Sequence, residues 1–245
     1  PGQSINYASA HDNHTLHDKL RLSVPGASDE EIAAMNRLAA AIVLTSQGVP
    51  FIHAGEEMLR SKPDDKGGYD ENSYKSPDST NSIKWDEKTN NKAMVEYYKG
   101  LIALRKKFAE FRMTDKLDVL FNLQFIEASN NVVAYRILSN DKTIYVVFNA
   151  NKESVKLNLG QGKYDVYVQG DKASSEALTT IEGGVITVDA QSAMVLVKAN
   201  AKSKQPLKAW QTALIIVGSI IGACIIAGAV LIFVYREKFF AKGKN

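Results

Sequence analysis

The spacing of the apolar residues changes once along this chain, and that change limits what the chain can fold into. Up to about residue 110, short apolar runs alternate with longer segments of helical period. Ile5 to Ala10 has strand character and leads into a polar stretch, 11–27. Ser28 and Glu31 then match a helix capping box, and Ile32, Met35, Ala39, Ile42 and Val43 follow a helical period that closes at Gln47-Gly48, with Pro50 just beyond. Val49 to Ala54 reads as a short buried strand, succeeded by Gly55-Glu56-Glu57 and a long loop rich in Asp, Lys, Gly, Ser and Asn that runs to about Asn90. Met94, Tyr97, Tyr98, Leu101, Leu104 and Phe108 predict a helix over Lys92 to Phe108, with Arg105, Lys106 and Lys107 in the last turn, where cations suit the helix dipole.

From about Met113 the period is two. Leu117 to Ile126, Val132 to Leu138, Thr143 to Ala150, Ser154 to Leu159, Lys163 to Gln169, Val185 to Val188 and residues 193–198 alternate like half-buried strands, separated by turn signals such as Asn140-Asp141 and Gly183-Gly184. The first part implies parallel α/β structure, whose sites form at the C-terminal ends of strands, and the second an antiparallel β-sandwich. Tyr135, Phe148, Tyr164 and Tyr167 offer a sugar-binding face, although aromatics at strand spacing more often belong to a core.

A chain of 245 residues with 45% hydrophobic and 23% charged residues holds enough apolar material for packed domains. Its formal net charge of +3 marks no basic patch, so nucleic acid is not an expected partner. The single cysteine, Cys224, excludes a disulfide framework and a cysteine-rich metal site. With Pro1 first and no secretion signal, the chain reads as the tail of a longer protein. After a polar linker, 201–212, residues 213–235 carry no charge and match the length needed to cross a hydrocarbon core of about 30 Å. Trp210 and Tyr235 flank this segment as interfacial aromatics do. The basic tail, 236–245, outweighs the lysines of the linker, which predicts a single-pass membrane protein with a cytoplasmic C-terminus.

The chemistry concentrates at the end of the first strand, in His11-Asp12-Asn13. A histidine can donate to a hydroxyl, and a carboxylate can accept from one or stabilise developing positive charge, so the pair suits a polyhydroxylated substrate. A polar turn with locally bonded Asp and Asn is the competing reading. A zinc site from His11, His14 and His17 with Asp12 is another, since histidines three apart share one side of a helix, but stretch 11–27 has no helical pattern.

Two strings carry a resemblance. Asn6-Tyr7-Ala8-Ser9-Ala10-His11-Asp12-Asn13-His14-Thr15-Leu16 and Gln47-Gly48-Val49-Pro50-Phe51-Ile52-His53-Ala54-Gly55-Glu56-Glu57 resemble the α-amylase superfamily of glycoside hydrolases. Within it, Asn72-Ser73-Tyr74-Lys75-Ser76-Pro77-Asp78-Ser79-Thr80-Asn81-Ser82-Ile83-Lys84-Trp85 and Ser192-Ala193-Met194-Val195-Leu196-Val197 look like type I pullulanases, the debranching enzymes. The resemblance implies that residues 1–110 are the last two strand-helix units of a catalytic (β/α)8 TIM barrel, and that 111–200 form the C-terminal β-sandwich.

Carried over to this sequence, it implies that Asp12 is the family's third carboxylate, holding sugar hydroxyls beside the scissile bond and stabilising an oxocarbenium-like ring. His11 would bind the same sugar and Asn13 complete the motif, while Glu56 and Glu57 would shape the loop or face substrate. Retaining hydrolysis needs a nucleophile and an acid about 5 to 5.5 Å apart, and in this family both sit on earlier strands, so the chain by itself is expected to lack them. The expected function is that of part of a membrane-anchored enzyme cleaving α-1,6-glucosidic bonds in pullulan, starch or glycogen, with its catalytic part extracellular. The alternative is a non-catalytic, surface-anchored α-glucan-binding protein. No cofactor is called for, and calcium stays open.

Overall fold

The computed structural model describes residues 1–199, which lie within one compact unit, Pro1–Asn200. It begins with two short strands, β1 (Ile5–Asn6) and β2 (Val49–Pro50), which pair in parallel. Between them run α1 (Leu16–Ser23) and α2 (Asp29–Thr45), the crossover that parallel pairing requires. Both strands are far shorter than the apolar runs suggested. Their neighbours Tyr7 and Phe51 are exposed and meet edge-to-face, with ring centroids 6.1 Å apart. Helix α1 occupies what reads as a featureless polar stretch, yet its start is written in Thr15-Leu16-His17-Asp18: the Thr15 hydroxyl accepts from the Asp18 N–H. At α2 the expected capping box is present, with Ser28 and Glu31 each accepting from the other's backbone N–H.

The long loop after β2 is built from short turns. Two four-residue helices, α3 (Asp78–Asn81) and α4 (Glu87–Asn90), interrupt it before α5 (Lys92–Lys107). A helix, α6 (Lys116–Asn122), also stands at the start of the region predicted to be all-β, so the strand expected over Leu117 to Ile126 is reduced to β3 (Leu123–Ile126). Asp115 caps α6 by accepting from the Leu117 N–H, a local bond that outweighs the alternating pattern.

Beyond β3 come β4 (Val132–Leu138), β5 (Lys142–Asn149), β6 (Val155–Asn158), β7 (Lys163–Gln169), β8 (Lys172–Ala173), β9 (Thr179–Glu182), β10 (Val185–Val188) and β11 (Ser192–Ala199). The large sheet runs β3-β4-β5-β11-β7-β8, with β9 also on β7, and every pairing in it is antiparallel. A separate pair, β6 and β10, makes a small second sheet. Strand residues therefore serve two cores. Tyr145, Tyr164, Val166 and Leu196 pack with Leu157 and Ile186 of the small sheet, whereas Ile137, Val146 and Val195 share a cluster with Leu44 of α2 and Leu101 and Leu104 of α5. The helices of the first half thus close one face of the large sheet. Tyr135, Phe148, Tyr164 and Tyr167 are all buried, which settles them as core and removes them as a sugar-binding face.

Among the described residues no helix is long and apolar enough to cross a membrane. The predicted membrane segment, 213–235, with its linker and basic tail, lies outside the described residues.

Two contacts hold α5 in place. Helix α5 lies so close to β8 that a Cβ on Gly100 would sit 1.9 Å from the Ala173 carbonyl oxygen. Buried Arg105 donates from Nη1 to the carbonyls of Leu44 (3.0 Å) and Ser46 (2.8 Å) and from Nη2 to that of Gly48 (2.7 Å), filling acceptors that the end of α2 leaves free. Gly100→Ala should lower the urea midpoint even though Ala is intrinsically the better helix former by about 1 kcal/mol, because the overlap is with backbone; a variant as stable as the parent would refute the close approach. Arg105→Met, which strands three carbonyls, is expected to cost about 3 kcal/mol in the same measurement.

Candidate functional site

His11, Asp12 and Asn13 lie just past β1, on the loop that leads to α1. The His11 and Asp12 side chains are 85% and 79% exposed, with Nε2 and Oδ1 3.6 Å apart, so both present their polar atoms to solvent. Asn13 sits in the left-handed region at φ 64°, a conformation Asn tolerates better than most residues, and its part is to turn the backbone.

What holds this loop comes from elements distant in sequence. The Ser9 hydroxyl, buried, donates to Glu56 Oε2 at 2.9 Å, and the Tyr98 hydroxyl of α5 donates to Oε1 at 2.9 Å. Asn36 of α2 in turn donates to Tyr98 Oη at 3.1 Å. Since the Ser9 proton is committed to Glu56, the 3.5 Å contact between Ser9 Oγ and His53 Nδ1 assigns the proton to His53 Nδ1. Burial raises the Glu56 carboxyl above its ordinary range, with the nearby Glu57 charge in the same direction, against the lowering effect of these hydrogen bonds.

A second set of bonds fixes the other side of the loop. Lys62, almost wholly buried, donates from Nζ to Ser73 Oγ at 2.8 Å and to the His11 carbonyl at 3.4 Å. Its own backbone N–H donates to Oδ2 of fully buried Asp18 at 2.8 Å. Burial would raise the Asp18 carboxyl, but hydrogen bonds from His17, Ser61, the Lys62 N–H and Thr15 outweigh it and leave the group below its usual range.

His17 Nδ1 is engaged by Asp18 Oδ1 at 3.2 Å, and among the described residues no group of three or more His, Cys, Asp or Glu could hold a metal ion. Glu56 is a buried member of the framework, in line with a loop-shaping role. Ser9, Asn36, Lys62 and Tyr98 escaped the sequence reading because each is a common residue whose partner lies tens of positions away.

The comparisons point to one family. Residues 121–172 match the family model described as the pullulanase all-beta domain. The pullulanase of Bacillus subtilis strain 168 is 41% identical over 164 residues, a span covering 65% of this chain and 22% of the relative. The pullulanase of Bacillus acidopullulyticus superposes with a TM-score of 0.76 at 37% identity, over 81% of this chain and 24% of that one. The described residues are similar to those of pullulanases. The Bacillus subtilis type I pullulanase, solved in complex with maltose, gives a TM-score of 0.73 at 34% identity, over 81% of this chain and 28% of that one. The chain therefore spans less than a third of the length of these pullulanases.

Burial first, then the charges of Arg60, Lys62 and His11, bring the His53 imidazole down from 6.5 to about 4. Between those two values the unfolded chain binds a proton at His53 that the folded chain does not, so this residue makes stability fall as the pH drops through that window. Glu56, shifted upward, acts in the opposite sense above its ordinary value. The thermal midpoint should accordingly fall less from pH 7 to pH 5 in His53→Gln than in the parent, and equal falls would show that His53 is not held neutral by the fold.

Proposed function

We propose that this chain is the C-terminal part of a pullulanase-type glycoside hydrolase that cleaves α-1,6-glucosidic bonds in branched α-glucans by a retaining mechanism. The single observation that carries the proposal is the held yet open His11–Asp12 pair: both side chains are exposed while the loop beneath them is tied down by Glu56 through Ser9 and by Lys62. A group that must meet developing charge acts best when its position is set in advance, because no reorganisation is then needed during the reaction. Asp12 supplies negative charge to an oxocarbenium-like ring, and His11 donates to a hydroxyl of the same sugar. The nucleophile and general acid come from sequence outside this chain, on earlier strands of a (β/α)8 barrel to which β1 and β2 contribute two.

Residues 1–110 are then the barrel part, 111–200 the β-sandwich that follows it, and 213–235 a membrane anchor leaving the glucan-facing part outside the cell. The charge-free length of that segment and the basic residues after it support the anchor. Polymeric glucan does not cross a membrane, which agrees with an outward-facing site.

Release of reducing sugar from pullulan tests the assignment. The 245-residue chain alone should release none, and turnover by it would place the catalytic pair within these residues. In a longer polypeptide that carries the remaining barrel, Asp12→Asn should lower kcat by about a hundredfold or more, the scale seen when one charge-stabilising group is removed. An unchanged kcat would remove Asp12 from the reaction.

A further inference from the structure

The tether from Lys62 does more than fix His11, because its other end is Ser73, the first residue of a tight 3-10 turn, Ser73–Lys75. One ammonium therefore bonds both the His11 carbonyl and the residue that precedes Tyr74. Tyr74 itself is 73% exposed. A lone exposed tyrosine needs no explanation on an ordinary loop. This one stands on a turn held from several directions. Asn81 Nδ2 donates to the carbonyls of Ser73 (2.5 Å) and Ser76 (3.0 Å), the Asn72 N–H donates to Asp70 Oδ1 (3.0 Å), and the Ser76 hydroxyl donates to Asp70 Oδ2. Arg60 Nη2 bonds the Asn81 carbonyl and so secures the residue that clamps the turn. An aromatic ring presented to water on so constrained a backbone loses little conformational freedom when a ligand covers it.

We propose that Tyr74 is a stacking platform for a glucosyl unit of the same glucan chain that His11 and Asp12 engage. The inference rests on the proposed function and deepens it by adding an affinity-determining residue on a different loop. A pyranose ring has an apolar C–H face, and burying it on a tyrosine ring removes apolar surface from water while the hydroxyls around its rim stay solvated. The Lys75 ammonium lies 5.2 Å from the Tyr74 ring centroid, over one face, which leaves the opposite face for the sugar. Lys62 is the positioning residue of the arrangement, since it couples the turn that carries Tyr74 to the loop that carries His11.

The test is titration of the full 245-residue chain with maltohexaose, in a detergent that contains no sugar, followed by calorimetry. Tyr74→Ala should raise Kd about tenfold with an unchanged thermal midpoint, Tyr74→Phe should restore parental affinity, and His11→Ala should also weaken binding. Weaker binding by His11→Ala with parental binding by Tyr74→Ala overturns the platform and leaves the proposed function standing. Weaker binding by Tyr74→Ala with parental binding by His11→Ala supports the platform and removes His11 from the glucan site. No binding by the parent chain overturns the platform, and the proposed function then stands or falls on kcat of Asp12→Asn in the longer polypeptide.

Discussion

The carbonyls at the C-terminal end of α2 are the constraint on which the rest depends. A helix leaves its last four carbonyls without intrahelical donors, and burying them unpaired is costly. Here the donors come from three places. Arg105 of α5 serves Leu44, Ser46 and Gly48, the Tyr135 hydroxyl of β4 serves Thr45 at 3.0 Å, and Asn6 of β1 donates to the Gln47 carbonyl at 2.6 Å. The Gln47 side chain completes the junction, donating to the Glu110 carbonyl and accepting from the Met113 N–H. One short connector thereby joins a helix, both parallel strands and the large sheet. Burial lowers the Arg105 guanidinium from its ordinary value, with Arg112 adding to the effect, and pushes the Tyr135 hydroxyl up to about 12.

With the connector fixed, β1 and β2 are aligned, and the loops at their ends come together as the candidate site. The loop after β1 carries His11 and Asp12, and the segment after β2 carries His53, Glu56 and Lys62, which support it from beneath. Gly55 lies at the bend between the two roles. Its φ of 90° suits glycine, and a Cβ there would come within 2.8 Å of Arg60 side-chain carbons. Arg60 in turn donates from Nη1 to the Ala54 carbonyl, so the tight packing and the support of the distant Asn81 turn belong to one side chain.

Much of the fold was legible from local signals. The capping box at Ser28, the helical period of α5 and the apolar runs of β4, β5, β7 and β11 each name an element on their own, because these signals need only the element's own residues. The two-residue strands β1 and β2 were overestimated since apolar character persists beyond the last paired residue. Helix α6 was missed because Leu117, Val119 and Phe121 continue the alternation of Leu123 and Phe125 in β3. At the site, the motif His11-Asp12-Asn13 stood out in the sequence, whereas the reason it is held in place did not.

The sequence alone determined which segments are helix and strand over most of the described chain, the change from α/β to all-β order near residue 113, and the resemblance that carries His11, Asp12 and Asn13. Those properties rest on local period, capping and motif. Only the tertiary structure decided that α2 and α5 cover one face of the large sheet, that four strand aromatics are core, and that Glu56 and Lys62 support the site loop. Each of these depends on pairing groups far apart in sequence, Ser9 with Glu56 or Tyr135 with Thr45, and no local pattern encodes which distant donor will reach a given buried acceptor.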